Sequence, residues 1–447
     1  MSRILTKSDY GLVGMLTIFI DVAQTVTDSG VTQALIRKAD RDQKDCSTAF
    51  IFNIVLSLFF YLVLFFTAPF ISDFYDHEEL TGLTRVISLG LIFNAVVMVP
   101  KALFTANLDF KTQTKSSLLA SVISGFCGII MALGGLGVWS IAYYQLIKLF
   151  LNGVLLWYFS TWRPTMVFSK ESFKYFFRFG SNFTIAGIIH TVYKDMYLLA
   201  IGKFYQAASL GVYTRAYQFG QLPSDNIGNI LQRVTYPVLC KFQDDPDRLA
   251  EIFVKFLRSI SFIVFPLMMT LSVLSDAVIV VVVGEKWAEA GPLLSIMCIS
   301  MMWIPLDTLN LNLLQVRGRT DYFLKCEVRK KVFGVIITIA TIPFGLLVIC
   351  WGQVLRALID MVIDTYYTGR YLRLGFIRQM KEISPTLFYS VITAACTWIC
   401  IAWIEMPVLK VFVGLLTAVL VFFLLVKITK STDYNVIRQL IKEREKK

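Results

Sequence analysis

Long apolar runs recur from one end of the 447-residue chain to the other, separated by short polar stretches. Thirteen of these runs have the length of a membrane-spanning helix. They lie near 11–27, 48–70, 84–104, 114–134, 138–159, 178–200, 205–233, 255–281, 291–314, 327–349, 352–371, 386–404 and 407–427. Each has the roughly 17–28 residues that a ~30 Å hydrocarbon core demands at about 1.5 Å of rise per residue. Lipid offers backbone groups no hydrogen-bond partner, so runs of this length read as helices. The pattern predicts an all-α, polytopic membrane protein.

The polar stretches alternate in charge. Segments 37–45 (RKADRDQKD), 101–115, 160–178, 233–258, 315–331 (VRGRTDYFLKCEVRKKV), 370–381 and the tail after Val426 are basic. Those at 71–83 (ISDFYDHEELTGL), 134–137 (GGLG), 284–291 (GEKWAEAG) and 404–407 (IEMP) are short and neutral or acidic. Basic loops mark the cytoplasmic side, which predicts a cytoplasmic C-terminus. Two cytoplasmic segments mix apolar and basic residues. RPTMVFSKESFKYFF at 163–177 reads as an interfacial helix. The tail NVIRQLIKEREKK puts Val436, Ile437, Leu440 and Ile441 on one face, which suits contact with anionic lipid or a solvated tail equally.

Composition sharpens this reading. The chain is 56% hydrophobic and only 17% charged, with a mean hydropathy of +0.65, whereas soluble domains carry about 25% charged residues. The net charge of +12 would suit nucleic acid, but its concentration in alternate loops is an orientation signal, so no nucleic-acid partner is expected. The eight cysteines are scattered; only Cys396 and Cys400 share a helix face, and no metal-ligand spacing appears. The polar start MSRILTKSDY has no cleavable-signal pattern.

An odd number of spans leaves the N-terminus outside. ILTKSDYGLVGMLTIF at 4–19 echoes FYQAASLGVYTRAYQF at 204–219. Each reads as a polar external turn, then an aromatic residue or leucine before glycine (Tyr10-Gly11, Leu210-Gly211), then a span. A full apolar run, 178–200, precedes the second copy, and almost nothing precedes the first. As parallel repeats, the two halves imply that one helix is missing at the start and that a complete relative has fourteen.

Charges inside the spans are the candidate functional residues, because each costs several kcal/mol in lipid unless it is paired or wetted. The basic ones are Lys148, Lys194, Arg215 and Arg356. The acidic ones are Asp21, Asp28, Asp307, Asp360 and Asp364. Arg215 lies about ten residues, or roughly 15 Å, into its helix, too deep to snorkel comfortably. His190 shares a face with Lys194, and Asp195 beside it can neutralise part of that cluster. Arg356, Asp360 and Asp364, at i, i+4 and i+8, form one stripe that suits either an ion-pair ladder or an ion path. Asp307 shares its helix with Asn310 and Asn312, a polar inner wall. Lys148, Lys194 and Arg215 facing one cavity would suit an anionic diphosphate; the other reading is three separate structural pairs. His77 and His190 are the only histidines, and no nucleophile elbow, P-loop or HExxH pattern occurs, so the chain does not read as an enzyme and no cofactor is expected.

Several stretches carry a resemblance: DYGLVGM (9–15), DSGVTQALIRK (28–38), APFISDFY (68–75), WRPTMVFSKESFKYFFRFG (162–180), IGKFYQAASLGVYTRAYQF (201–219), GEKWAEA (284–290) and NLNLLQVRGRTDYFLKCEVRKK (310–331). In these the chain resembles bacterial polysaccharide exporters of the multidrug/oligosaccharidyl-lipid/polysaccharide superfamily, in the branch of colanic acid and teichuronic acid exporters. The resemblance implies two pseudo-symmetric bundles of six helices plus two extra ones. It also implies flipping of undecaprenyl-diphosphate-linked oligosaccharide across the inner membrane by alternating access. On this sequence the N-lobe is 1–160, an amphipathic linker 161–177, the C-lobe 178–372, the extra pair 386–428 and the basic tail 429–447. Arg215, Lys148 and Lys194 are then the diphosphate candidates. Asp307, Asn310, Asp360, Asp364, His190 and Arg356 are candidates for ion coupling or cavity polarity. Membrane lipids, a polymerase and glycosyltransferases of the same pathway are the implied partners. The family's first helix is absent ahead of DYG, from a misassigned start or a truncated, inactive relative. The remaining alternative is an ion-coupled antiporter of small cations.

Overall fold

A computed structural model describes residues 1–38, 40–316 and 320–429. The tail residues 436–441 read as amphipathic lie outside these. Among the described residues all regular structure is helical. The helices are α1 (Lys7–Arg37), α2 (Gln43–Tyr75), α3 (Glu79–Ile87), α4 (Leu89–Ala106), α5 (Phe110–Leu133), α6 (Val138–Phe159), α7 (Lys170–Phe204) and α8 (Ala207–Cys240). They continue with α9 (Pro246–Val282), α10 (Ala290–Met301), α11 (Ile304–Val316), α12 (Thr320–Thr341), α13 (Leu346–Leu372), α14 (Phe376–Ile401) and α15 (Pro407–Ile428). Ten helices or helix pairs among the described residues are long and apolar enough to cross a membrane. The 35-, 34- and 22-residue helices α7, α8 and α12 also have the length and complete the thirteen positions expected.

Local chemistry sets the ends. Thr6 and Asp9 form a reciprocal capping box at the start of α1, as Asp42 and Asp45 do for α2, each satisfying N–H groups that helix geometry leaves open. Asp245 caps α9 with Pro246 in its first turn. Gly284 (φ 113°) and Gly345 (φ 98°) make the turns before α10 and α13, in a backbone region that side chains disfavour.

Several boundaries differ from the sequence reading. The expected span 327–349 is instead α12, which ends at Thr341; a short 3-10 turn, Ile342–Phe344, and Gly345 separate it from α13. Pro343 lacks the N–H that a continued helix needs. The basic loops 233–258 and 315–331 are largely helical, because α8, α9 and α12 extend beyond their apolar portions. Helix α8 runs on through Pro223. The interfacial helix read at 163–177 divides: residues 161–169 are non-helical and α7 starts at Lys170. Hydrogen bonds to the first turns of α2 hold the non-helical part. Gln43 donates to Arg163 O (2.6 Å), Thr165 N to Ser47 Oγ (3.1 Å) and Ser169 N to Thr48 Oγ1 (3.0 Å). Nearby, the hydrogen bond to Asp45 holds the Lys38 ammonium's pKa above its ordinary value.

The order of elements repeats. Helices α1, α2, the broken pair α3–α4, α5 and α6 are followed, after α7, by α8, α9, the broken pair α10–α11, α12 and α13. The chain forms two compact units, Met1–Thr214 and the residues from Arg215 onward.

Within the first unit α7 packs along α1, and the echoing segments meet. A Cβ on Gly11 would lie 1.7 Å from Ala207 O, and one on Gly211 would lie 2.0 Å from Lys7 O. Lys7 stands four residues before Gly11, and Ala207 four before Gly211. Each glycine therefore receives the backbone one turn ahead of the other. Gly14 meets Leu210 and Thr214 in the next layer, with a would-be Cβ 3.2 Å from Thr214 Oγ1. The echo is thus a reciprocal contact in which two backbones touch without side chains between them.

That contact makes a prediction. Gly→Ala in an open helix position favours the helix by about 0.5–1 kcal/mol, while overpacking a close contact costs roughly 1–3 kcal/mol. Gly11→Ala and Gly211→Ala are expected to lower the Tm of the purified protein in detergent. Gly125→Ala, where nothing lies within 4 Å, is expected to leave it equal or higher. Equal Tm values for all three would count against the contact.

Candidate functional site

The charged residues of the spans gather in separate places, and each unit has its own. In the first, Asp21, Gln24, Thr25 and Asp28 lie on one face of α1 by their i, i+3/i+4, i+7 spacing. Gln24 donates to Asp28 and accepts from Asn94 of α4 at 3.0 Å. Thr25 pairs with Thr191 of α7 at 2.8 Å. Lys194, one turn further along α7, sits 3.6 Å from Asp21 and 3.9 Å from Asp195. Its ammonium is therefore balanced within the protein, although the Lys194 and Asp21 side chains are 40% and 38% exposed. His190 is exposed on α7 one turn before Lys194. Lys148 is half-buried on α6 and makes no hydrogen bond or ion pair among the described residues.

Arg215 begins the second unit. Helix α8 starts at Ala207, so Arg215 lies about 12 Å along it at ~1.5 Å per residue. Its Nη1 donates to Gln218 Oε1 at 2.9 Å, and the guanidinium stands 5.6 Å from the ring centre of the wholly buried Trp287. That ring attracts the cation through its π face. Trp287 belongs to the GEKWAEAG turn that the sequence places outside.

The densest polar cluster of the second unit lies where α11, α12 and α13 meet. The Lys330 ammonium of α12 is 3.0 Å from Asp307 Oδ1 of α11, 3.3 Å from Asp364 Oδ2 of α13 and 2.9 Å from Glu327 Oε1 of its own helix. All three of its protons have an acceptor. Lys331 stands 3.5 Å from Glu327, and Arg356 stands 3.7 Å from Asp360 on α13. The stripe read at Arg356, Asp360 and Asp364 is therefore only partly internal to its helix, because Asp364 turns to Lys330 and Asp307. One turn away is a second buried network. Asn310 Nδ2 donates to Gln379 Oε1 (3.2 Å), while Gln379 Nε2 donates to Asn310 Oδ1 (2.9 Å), Thr368 Oγ1 (3.1 Å) and Leu374 O (2.9 Å). It ties α11, α13 and α14 together.

The structure thus joins Asp307 to Asp364, with Arg356 and Asp360 beside them, and gives Asn310 amide and hydroxyl partners. It pairs Lys194 with carboxylates. Sequence reasoning missed Lys330, which fell where the basic segment 315–331 overlaps the start of the span read at 327–349, because that span was placed too far toward the C-terminal end of α12. The usable signal was Pro343-Phe344-Gly345, which stops a helix and moves the span back over Lys330. Gln379, Gln24, Asn94 and Trp287 gave no comparable signal, being single polar or aromatic residues near span ends.

Comparison with known proteins agrees with this architecture. Residues 1–292 match the family of polysaccharide biosynthesis proteins. The chain belongs to that family, and with its many apolar helices it is a multi-pass membrane protein. It is 27% identical over 368 residues to the teichuronic acid biosynthesis protein TuaB of Bacillus subtilis, covering 81% of this chain and 75% of that one. It is 26% identical over 376 residues to the lipopolysaccharide biosynthesis protein WzxC of Escherichia coli, covering 82% and 75%. Its fold is similar to that of the lipid II flippase MurJ in an inward closed conformation, with a TM-score of 0.75 over 94% of both chains at 12% identity.

Removing one partner of a buried ion pair leaves the other charge stranded, at about 3–5 kcal/mol. Lys330→Met is therefore expected to lower Tm in detergent strongly. Lys255→Ala, which breaks the exposed pair with Glu251, is expected to leave it nearly unchanged. Similar effects from both would show that the cluster does not bind its three helices together.

Proposed function

We propose that this chain is a flippase for undecaprenyl-diphosphate-linked oligosaccharide, working by alternating access in the cytoplasmic membrane with its basic loops and C-terminus inside. The observation that carries this reading is the family match over residues 1–292, alongside relatives named for teichuronic acid and lipopolysaccharide biosynthesis. Diphosphate recognition needs cations, which the spans supply. Arg215 offers a planar fork and Lys148 a point charge, and these are the two residues we assign to the diphosphate. Lys194 stands third, because Asp21 and Asp195 already answer its charge. Asp307, Asp360, Asp364 and His190 are the candidates for coupling transport to an ion gradient. The partners are the lipid-linked substrate, the surrounding lipid, and the glycosyltransferases and polymerase that make and consume that substrate. Nothing in this mechanism requires covalent chemistry or a cofactor.

An antiporter of small cations is the weaker reading. Such a substrate needs carboxylates to bind to, and Lys330 already holds Asp307, Glu327 and Asp364 of the second unit.

The test is export of lipid-linked sugar in a strain deleted for its own exporter. Hydrogen bonds to charged groups contribute about 1.5–3 kcal/mol, or roughly 10–100-fold. Arg215→Ala and Lys148→Ala are each expected to reduce export by about tenfold or more at unchanged membrane abundance. Wild-type export by both variants would remove the diphosphate assignment. Drug resistance without a polysaccharide phenotype would favour the antiporter.

A further inference from the structure

Pro69 leaves a bare carbonyl inside α2. Proline has no N–H for the residue four before it, so Phe65 O loses its helical partner. Arg85 of α3 answers it. Its Nε donates to Phe65 O at 3.3 Å, and its guanidinium carbon stands 4.4 Å from the centre of the Phe65 ring, whose π face attracts the cation. These two contacts hold the guanidinium in place and leave its outer edge open. Arginine carries five N–H donors, and the carbonyl uses one. The two Nη atoms make no hydrogen bond or ion pair among the described residues, and neither is buried. Glu78 and Glu79, at the start of the same helix, do not pair with it.

The surroundings of that open edge are lipid. Leu80, Leu83 and Ile87, the buried apolar residues of α3, lie on the far side of the helix from Arg85 by its 3.6-residue period. Phe65 packs edge-on against Phe66, with ring centres 5.6 Å apart. Phe66 belongs to a stripe on α2, with Leu62 and Phe70, that the protein leaves uncovered; Phe66 and Phe70 are 69% and 73% exposed. On a membrane-spanning helix such a stripe meets acyl chains. Arg85 is the second residue of the apolar run 84–104, and Phe65 lies five residues inside the end of the run 48–70, or about 7.5 Å at ~1.5 Å per residue. The guanidinium therefore stands at the rim of the hydrocarbon, where an unanswered donor is expensive and the headgroup layer supplies the acceptors. Thr81, one turn nearer the start of α3 and on the same face, has a half-buried side chain whose hydroxyl has no hydrogen bond among the described residues.

We propose that Arg85 and Thr81 bind the phosphate of a resident phospholipid whose chains lie along the Leu62, Phe66 and Phe70 stripe of α2. The open edge of the guanidinium offers phosphate two parallel N–H bonds, and the Thr81 hydroxyl adds a third donor. The phosphate in turn answers the donors that Phe65 O leaves over. Arg85 then joins three things at one point: the carbonyl freed by Pro69, the start of α3 and the headgroup of a lipid. The site uses neither Arg215 nor Lys148, and it does not depend on the transport reading.

Native mass spectrometry of the purified protein in detergent, with added dioleoyl phosphatidic acid, dioleoylglycerol or sodium phosphate, tests the site. Wild type is expected to retain one phosphatidic acid at least about tenfold more tightly than dioleoylglycerol, the difference that hydrogen bonds to a charged group make. Sodium phosphate is expected to leave that lipid in place. Arg85→Gln is expected to lose the preference and Arg215→Ala to keep it. Because Arg85→Gln also strands Phe65 O, the double variant Pro69→Ala/Arg85→Gln separates the two roles: residue 69 then has an N–H for Phe65 O. It is expected to lose the preference as well, while Pro69→Ala alone keeps it. Equal retention of the two lipids by wild type overturns the proposal, and so does displacement by sodium phosphate, which would mark a site for the free anion. An unchanged preference in either Arg85 variant, or its loss in Arg215→Ala, overturns it too. If neither Arg85 variant folds, Thr81→Val decides: a severalfold weaker preference supports the site, and an unchanged one removes it.

Discussion

A charge or a bare peptide group in lipid has no solvent to turn to, and this chain meets that constraint by providing partners from within. The breaks in its helices show how. Where α10 stops at Met301, the carbonyl freed by the break accepts a hydrogen bond from Ser224 of α8 at 2.9 Å. On α4, Val96 O accepts from the indole of Trp157 at 3.0 Å, beyond its own helix. An unmet buried polar group costs about 1–3 kcal/mol, so each such bond is comparable to burying an apolar side chain. The cluster at Lys330 is the same response to a full charge. Three helices supply its acceptors, so the ion pair also fixes how those helices meet.

Close packing is handled differently. At Gly11 and Gly211 the helices touch backbone to backbone, with no long side chains to adjust the fit. Contacts of this kind depend on surface shape, and neither hydrophobic burial nor charge drives them in lipid. Their reciprocity follows from the repeat, since each copy supplies one glycine and the turn that the other glycine receives. Ion clusters set which helices meet, and small residues set how closely. The two devices occupy different regions: the glycine contact involves the first turns of α1 and α8, while the Lys330 cluster lies among α11, α12 and α13.

Much of this was legible in the sequence for a physical reason: hydrocarbon thickness imposes a length on every span, and that length appears as a run of apolar letters. The all-helical architecture and the positions of the spans followed from it. The echo at 4–19 and 204–219 also carried real information, because its glycines turned out to face each other. Boundaries were less legible. Apolar runs mark the part of a helix in lipid, while α8, α9 and α12 continue past it under capping and amphipathic patterning. That is how Lys330 came to lie at the overlap of a supposed loop and a span, and why the stripe on α13 was read from its own helix alone, as either a ladder or an ion path. The i, i+4 rule relates residues on a single helix and does not reveal a cation approaching from another. Amides such as Gln379 and Asn94 are invisible for a similar reason, since their importance lies in the partner brought to them by folding.

The same accounting of partners separates cations that build the protein from cations available to a substrate. Lys330 has three carboxylates and no proton left to donate. Lys194 has two carboxylates within 4 Å, so an anion arriving there must compete with charges already in place. Lys148 is half-buried on α6, with no protein acceptor among the described residues. Keeping an ammonium ion in that position costs stability unless water or a bound anion completes its hydrogen bonds. A binding site that must release its ligand gains from such an arrangement. The cation stays wet and accessible when empty, and it loses little internal bonding when the anion comes or goes. Sequence position alone ranked Arg215 first because it is deep; the pattern of partners supports placing Lys148 ahead of Lys194 in the proposed diphosphate assignment.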